Sequence, residues 1–237
     1  NISCTSCHSM HTYEDTADQL SPEMTSSKAC LQCHSEYEDT DRMAEHTHHD
    51  PAAAGSNCLN CHMPYTSFGL LKSIRSHRID SPSLKALDRP NACNLCHLDK
   101  SLDWTNDVLH EWYDISPVDH SVFSGNSDIS AAAVYLLSGD PVQRAVTADA
   151  FARADAQAVS GDKWQIPLLI HLLDDPYSAV RFVAGRTIRE YQGFQDVEYD
   201  FLAPSVTRRA AAGAIMDKWS TQQMSFDGLD LRSLLLK

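Results

Sequence analysis

The sequence predicts a mainly α fold in two unlike parts, and two observations carry that prediction. All eight cysteines of the 237 residues fall within the first hundred positions, where long periodic stretches are scarce. From Ile129 onward there is no cysteine, and Ala, Val, Leu and Ile recur at three- and four-residue intervals, the period of a helix with one buried face. A chain of this length can bury a sizeable core. Its hydrophobic fraction of 43% and charged fraction of 22% are ordinary globular values and exclude wholesale disorder. The longest unbroken apolar run, residues 131–137, is too short for a spanning helix. Lys+Arg of 19 against Asp+Glu of 32 gives a net charge of -13, which sets the chain against nonspecific nucleic-acid binding.

The cysteines belong to one pattern. They read Cys4-Thr-Ser-Cys7-His8, Cys30-Leu-Gln-Cys33-His34, Cys58-Leu-Asn-Cys61-His62 and Cys93-Asn-Leu-Cys96-His97, with none left over. C-x-x-C-H is the attachment signature of c-type haem. Two thiols one turn apart add to the two vinyl groups of a porphyrin, and the adjacent imidazole is held under the iron. Zinc ribbons and disulfides are the competing uses of paired cysteines, but neither requires a histidine directly after the second cysteine. Four covalently attached haems are therefore expected, with His8, His34, His62 and His97 as proximal ligands.

A six-coordinate haem needs a second axial ligand, and eight other histidines are present. His11 follows His8 by three residues, so it sits on the protein side of that haem; as a ligand it would serve a neighbour, which implies close packing of the macrocycles. His46 and His49 are spaced i, i+3, which on a helical turn puts both on one side. His77 is flanked by Arg75 and Arg78, cations suited to haem propionates. His171 sits in the helix-like run Leu168-Leu169-Ile170-His171-Leu172-Leu173 and reads as an ordinary surface or hydrogen-bonded histidine. His120 reads as a loop residue, and His110 stays open as an axial candidate. Met63 points the wrong way, whereas Met10, Met24 and Met43 remain open as ligands.

Three stretches carry a family resemblance: His62-Met63-Pro64-Tyr65, Ile74-Arg75-Ser76-His77, and Arg89-Pro90-Asn91-Ala92-Cys93-Asn94-Leu95-Cys96-His97-Leu98-Asp99-Lys100. The chain resembles multihaem c-type cytochromes in which a doubled C-x-x-C-H haem domain precedes HEAT or tetratricopeptide repeats. That family is related in haem arrangement to cytochrome c554 and to nitrite-reducing cytochromes. The resemblance covers essentially the first 115 residues and implies four distal ligands: His11, His46, His49 and His77. Family members carry further haem motifs and an export signal upstream. Here the first motif begins at Cys4, as expected of a processed mature chain or of one lacking an N-terminal portion.

Element by element, short helices are expected at each C-x-x-C-H, joined by loops such as 50–57 and 79–91. Trp104, Trp112 and Tyr113 follow the last motif at helical spacing and are expected to pack on a haem or on the next domain rather than relay electrons. Residues 116–128, with Pro117 and Gly125, form a linker between a haem-cored domain at 1–115 and an all-α domain at 129–237. In the latter, Asp140-Pro141 and Asp175-Pro176 each place an N-cap acid before a proline at the first helical position. Helices are expected over 142–153 and 177–189, with Ala150 and Gly185 at the same offset from each proline. A weaker third copy starts at Pro204 and reaches Gly213. An Asp-Pro start, Val180-Arg181 and a small residue for close approach resemble HEAT repeats, which stack into a short solenoid; an irregular bundle fits the periodicity nearly as well. Asp174 and Asp175 are better explained by capping than by acid–base work.

Function follows from the motifs. Thioether attachment implies export, so a periplasmic, cell-surface or extracellular location is expected. The leading expectation is an electron carrier, not an enzyme, relaying electrons through closely packed bis-His haems. A polymeric form would run haem chains across subunit contacts as a filament, with His48 or His110 as candidate shared ligands. The alternative is an oxidoreductase acting on a nitrogen or sulfur oxyanion at a five-coordinate haem. The acidic charge favours redox partner proteins with basic patches.

Overall fold

The computed structural model describes residues 2–13, 16, 18–85, 89–119 and 128–224. Contacts divide the chain into two units, Asn1–Pro64 with His77–Ser81, and Tyr65–Ser76 with Pro82–Lys237. The fold is mainly α, as the sequence predicts.

The first unit is built from short pieces: 3-10 turns at Cys4–Ser6, Ser35–Glu38 and Ala54–Ser56, and helices α1 (Lys28–Leu31), α2 (Thr40–Thr47) and α3 (Cys58–His62). Helix α2 starts where the Asp39 carboxylate accepts from the N–H groups of Asp41 and Arg42, both at 3.0 Å. It stops at His48, whose backbone turns left-handed at φ 54°. That stop corrects one expectation. His46 lies in the last turn and His49 beyond it, so the two do not share a helical face. His49 instead folds back, its Nδ1 meeting the Thr47 carbonyl at 2.5 Å, and a Cβ on Gly55 would collide with its ring. Among the described residues of this unit only Met43 and Leu59 are buried apolar side chains. A unit of this size cannot hold itself together on two such residues, which is the situation expected where a cofactor supplies the core.

The second unit opens with a hairpin, β1 (Ser67–Gly69) against β2 (Lys72–Ile74), in antiparallel register with Gly69 opposite Lys72. Its two-residue turn is Leu70 and Leu71, at φ 52° and 60°. Positive φ at both positions is the type I′ geometry that matches strand twist, but bulky side chains rarely occupy it. Arg186 Nη1 pins the tip by donating to the Leu71 carbonyl at 3.0 Å. No strand was legible here because the turn lacks the Asn-Gly signal of such hairpins.

A 3-10 turn at Cys93–Leu95 leads to α4 (Leu102–Tyr113), capped by Ser101 Oγ accepting from the Trp104 N–H at 3.1 Å. Of the expected linker, residues 120–127 lie outside the described residues, His120 among them. Then follow α5 (Ala131–Ser138), α6 (Pro141–Ala150), α7 (Ala154–Ser160), α8 (Gln165–His171), α9 (Ser178–Ile188) and α10 (Ser205–Met224). Helix α6 begins as expected, with Pro141 first and a reciprocal cap in which the Asp140 carboxylate accepts from Gln143 N–H while Gln143 Oε1 accepts from Asp140 N–H.

The parallel expectation at Asp175-Pro176 is corrected: α9 begins two residues later, at Ser178. The Asp175 carboxylate is engaged from α6, with Arg144 Nε at 2.7 Å and Nη2 at 3.2 Å, and also accepts from Tyr177 N–H. Asp174 likewise pairs with Arg208 and Arg209 and accepts the Ser205 hydroxyl at 2.7 Å. That hydroxyl first, then the two arginines, hold its carboxyl below the ordinary range. Helix α5 packs on α6 and α8, α6 on α9 and on the hairpin, and α8 on α9 and α10. Their core includes Leu136, Phe151, Ile166, Leu169, Val183 and Ile188, together with Leu95 from the fourth cysteine motif and Leu98 just after it. Gly185 leaves room for the Tyr199 ring, whose hydroxyl donates to the Leu173 carbonyl at 2.6 Å. Gly213 faces open space, so its matching offset has no packing counterpart. Among the described residues no helix is long and apolar enough to cross a membrane.

Candidate haem sites

Each C-x-x-C-H closes on itself as one turn of helix. The histidine N–H donates to the first cysteine carbonyl at 2.9 Å in the first motif, 3.0 Å in the second and 2.9 Å in the fourth. The third motif is α3 itself. An i, i+3 spacing on a helical turn carries both thiols to the same side, as addition to one porphyrin edge requires. None of the eight cysteines forms a disulfide. Among the described residues no group of three or more His, Cys, Asp or Glu is arranged to hold a metal ion.

Thiols of different motifs gather in the first unit. Burial, then Cys58 and Cys7, push the Cys30 thiol up to about 11. Burial and Cys58 raise Cys61 as well.

The histidines show an ordered arrangement. His8 Nδ1 lies 2.9 Å from the Asp18 carbonyl and His62 Nδ1 lies 3.0 Å from the Asp80 carbonyl. A carbonyl only accepts, so Nδ1 carries the proton and Nε2 keeps its lone pair for a metal. His8 then faces His77, with ring centroids 6.1 Å apart and planes 20° from parallel. His62 faces His46 at the same 6.1 Å, with planes 9° from parallel. An iron between two imidazoles, with bonds of about 2 Å on each side, requires centroids about 6 Å apart. The residues fit the group. Burial first, then His62 and His48, lower the His46 pKa and favour the neutral ring that can ligate. Tyr37 rests on the other flank of His46, at 4.8 Å between centroids.

The remaining candidates are placed as follows. His34 is exposed, with Nδ1 3.7 Å from Glu36 Oε1. His11 is exposed and its backbone N–H is held by Ser9 Oγ. His49 is half-buried beside Gly55. His97 lies 4.9 Å from the Trp104 ring, so that tryptophan packs on the fourth proximal candidate, while Trp112 meets Tyr113 edge-on at 6.3 Å. His110 is exposed on α4, with Nδ1 3.3 Å from the Ile115 carbonyl, and His171 is exposed at the end of α8.

Arg78, one of the cations expected near propionates, pairs with Asp80, and Lys100 pairs with Asp99, both at 3.0 Å. Arg75 lies over the Tyr65 ring at 4.2 Å, and burial pushes its guanidinium pKa down, with Arg153 acting the same way and Tyr65 and Asp155 opposing. Sequence reasoning missed Arg153, which reaches the same ring at 5.2 Å and donates to the Leu95 carbonyl. No local pattern announces a contact made across so much chain.

Turns of this construction define a class: c-type cytochromes, which carry haem attached covalently through C-x-x-C-H. Residues 1–39 match the doubled CXXCH motif family and residues 43–116 match the cytochrome c552 family, and between them these segments hold all four motifs. These matches over residues 1–116 support a multihaem c-type cytochrome and, with it, haem-based electron transfer. No curated protein and no solved structure matches the chain.

Proposed function

We propose that the protein is a tetrahaem c-type cytochrome that relays electrons through bis-His haems outside the cytoplasm. The observation that carries this reading is the pair of facing imidazoles, His8 with His77 and His46 with His62, each spaced for one iron. An iron with imidazole on both faces offers no open position to a substrate and can only gain or lose an electron. Bound haem supplies the one-electron couple between Fe(III) and Fe(II). Everything else falls to the chain. Cys4, Cys7, Cys30, Cys33, Cys58, Cys61, Cys93 and Cys96 would anchor the porphyrins, and His8, His34, His62 and His97 would be the proximal ligands. His46 and His77 would complete the third and first sites, and His11 and His49 are the distal candidates for the other two.

The helical part, 129–237, serves as a HEAT-like scaffold. The like-with-like packing of α5 on α8 and α6 on α9 supports that reading. Thioether assembly supports a periplasmic, cell-surface or extracellular location. The net charge of -13 favours a redox partner with a basic face. Longer haem chains across subunit contacts would extend the same function into a filament.

The cytochrome c552 family includes nitrite-reductase-type enzymes. Catalysis on a nitrogen or sulfur oxyanion is therefore the competing reading, and it needs one five-coordinate iron. The haem count is tested by intact mass. The holoprotein should exceed the polypeptide by four haems; a smaller increment would overturn the tetrahaem assignment.

A further inference from the structure

Two guanidinium groups of the second unit meet at one ring. Arg75 Cζ stands 4.2 Å and Arg153 Cζ 5.2 Å from the Tyr65 centroid. Arg153 and Asp155 both act on the buried Arg75 guanidinium, the cation pushing its pKa down and the carboxylate opposing it. Arg153 Nε is buried and makes no hydrogen bond, a loss that native structures leave at few groups. Its ion-pair partner, Asp155, stands off: Oδ1 is 4.0 Å away and accepts from the Ala156 N–H at 2.9 Å, while Oδ2 faces Cys96 Sγ at 3.7 Å. Arg153 Nη2 donates to the Leu95 carbonyl. One arm of the fork is thus fixed to the fourth C-x-x-C-H turn while Nε is left with an unmet donor.

We propose that Arg75 and Arg153, with Tyr65 between their contacts, form a binding site for one carboxylate-type anion beside the fourth haem-attachment turn. The site rests on the c-type haem reading. Two sources share the chemistry: a propionate of one of the chain's own haems, or a small free oxyanion. In either case the anion accepts from Arg153 Nε and offsets the paired cations. Reduction of a nearby ferric haem adds one electron and removes one positive charge from the site, so retained guanidinium charge favours the reduced form.

The test uses holoprotein and its Arg153→Gln variant, with haem content fixed first by intact mass. Midpoint potentials are measured by spectroelectrochemical titration in chloride buffer, with and without sodium acetate or sodium nitrite. A propionate at the site predicts that Arg153→Gln lowers one haem's potential equally in all three buffers. The carboxylate bands of the redox difference infrared spectrum should change with it. A free oxyanion predicts that acetate or nitrite shifts the wild-type potential saturably and that the variant does not respond. Unchanged potentials and an unchanged anion response in a fully haem-loaded variant would overturn the site. Arg75→Gln makes the same test where Arg153→Gln does not assemble. A chain lacking the expected haems would instead fail the cytochrome reading, so the two failures are distinguishable.

Discussion

A backbone carbonyl decides what an imidazole can do. The Asp18 and Asp80 carbonyls accept from Nδ1–H of His8 and His62, which fixes the tautomer and leaves the Nε2 lone pair for a metal. With His77 and His46 standing one iron's width away, removal of either has a defined consequence. His77→Ala and His46→Ala should each convert one haem to high spin in the oxidised protein, and the double variant two, as read by absorption and electron paramagnetic resonance. An unaltered spectrum in either variant would remove that histidine from the ligand set. At this scale the sequence was most informative about the anchors. Four C-x-x-C-H motifs name twelve residues directly, because the chemistry demands fixed spacing. The distal partners were legible only through family resemblance. Which one faces which proximal ring was not, since His8 and His77 meet through the fold and no local period links them. His49 shows the opposite failure: the i, i+3 spacing promised a shared face, but His48 in the left-handed region ends the helix first.

Elements repeat that lesson. Asp140 and Pro141 start α6 as their types require, with the carboxylate accepting from the Val142 and Gln143 N–H groups. The same dipeptide at Asp175-Pro176 does something different, because Arg144 reaches it across the helix stack and a charge-assisted pair outweighs a cap. The two side chains are 15% and 6% exposed, so the pair is shielded from solvent and removing one partner strands the other. Asp175→Ala should lower stability by about 3 kcal/mol, measured by urea unfolding followed by circular dichroism. A loss below about 1 kcal/mol would equate it with a surface bridge. The hairpin at Leu70 and Leu71 escaped the sequence for a related reason. Its geometry is held by the strands and by Arg186 rather than by the residues of the turn.

On the scale of the whole molecule, ordinary arithmetic applies to one part and fails in the other. The helical part buries a contiguous set of Leu, Val, Ile, Phe and Ala side chains, and its periodicity announced as much. The cysteine-rich first unit buries two apolar side chains among its described residues and cannot be held by them. Haem makes up that deficit in the proposed account, which ties folding of this unit to cofactor attachment. The fourth motif differs from the other three. Its Leu95, and Leu98 just after it, enter the helical core, so a turn that composition groups with the cytochrome region is packed by contacts into the helical unit.

The central claim is that every iron is closed by two protein ligands and that the protein therefore carries electrons rather than transforming a substrate. Quantitative low-temperature electron paramagnetic resonance of the oxidised holoprotein, integrated against its haem content, tests this most directly. Low-spin ferric signals should integrate to all four haems. A high-spin ferric signal integrating to a whole haem would contradict it and leave an open iron for oxyanion chemistry.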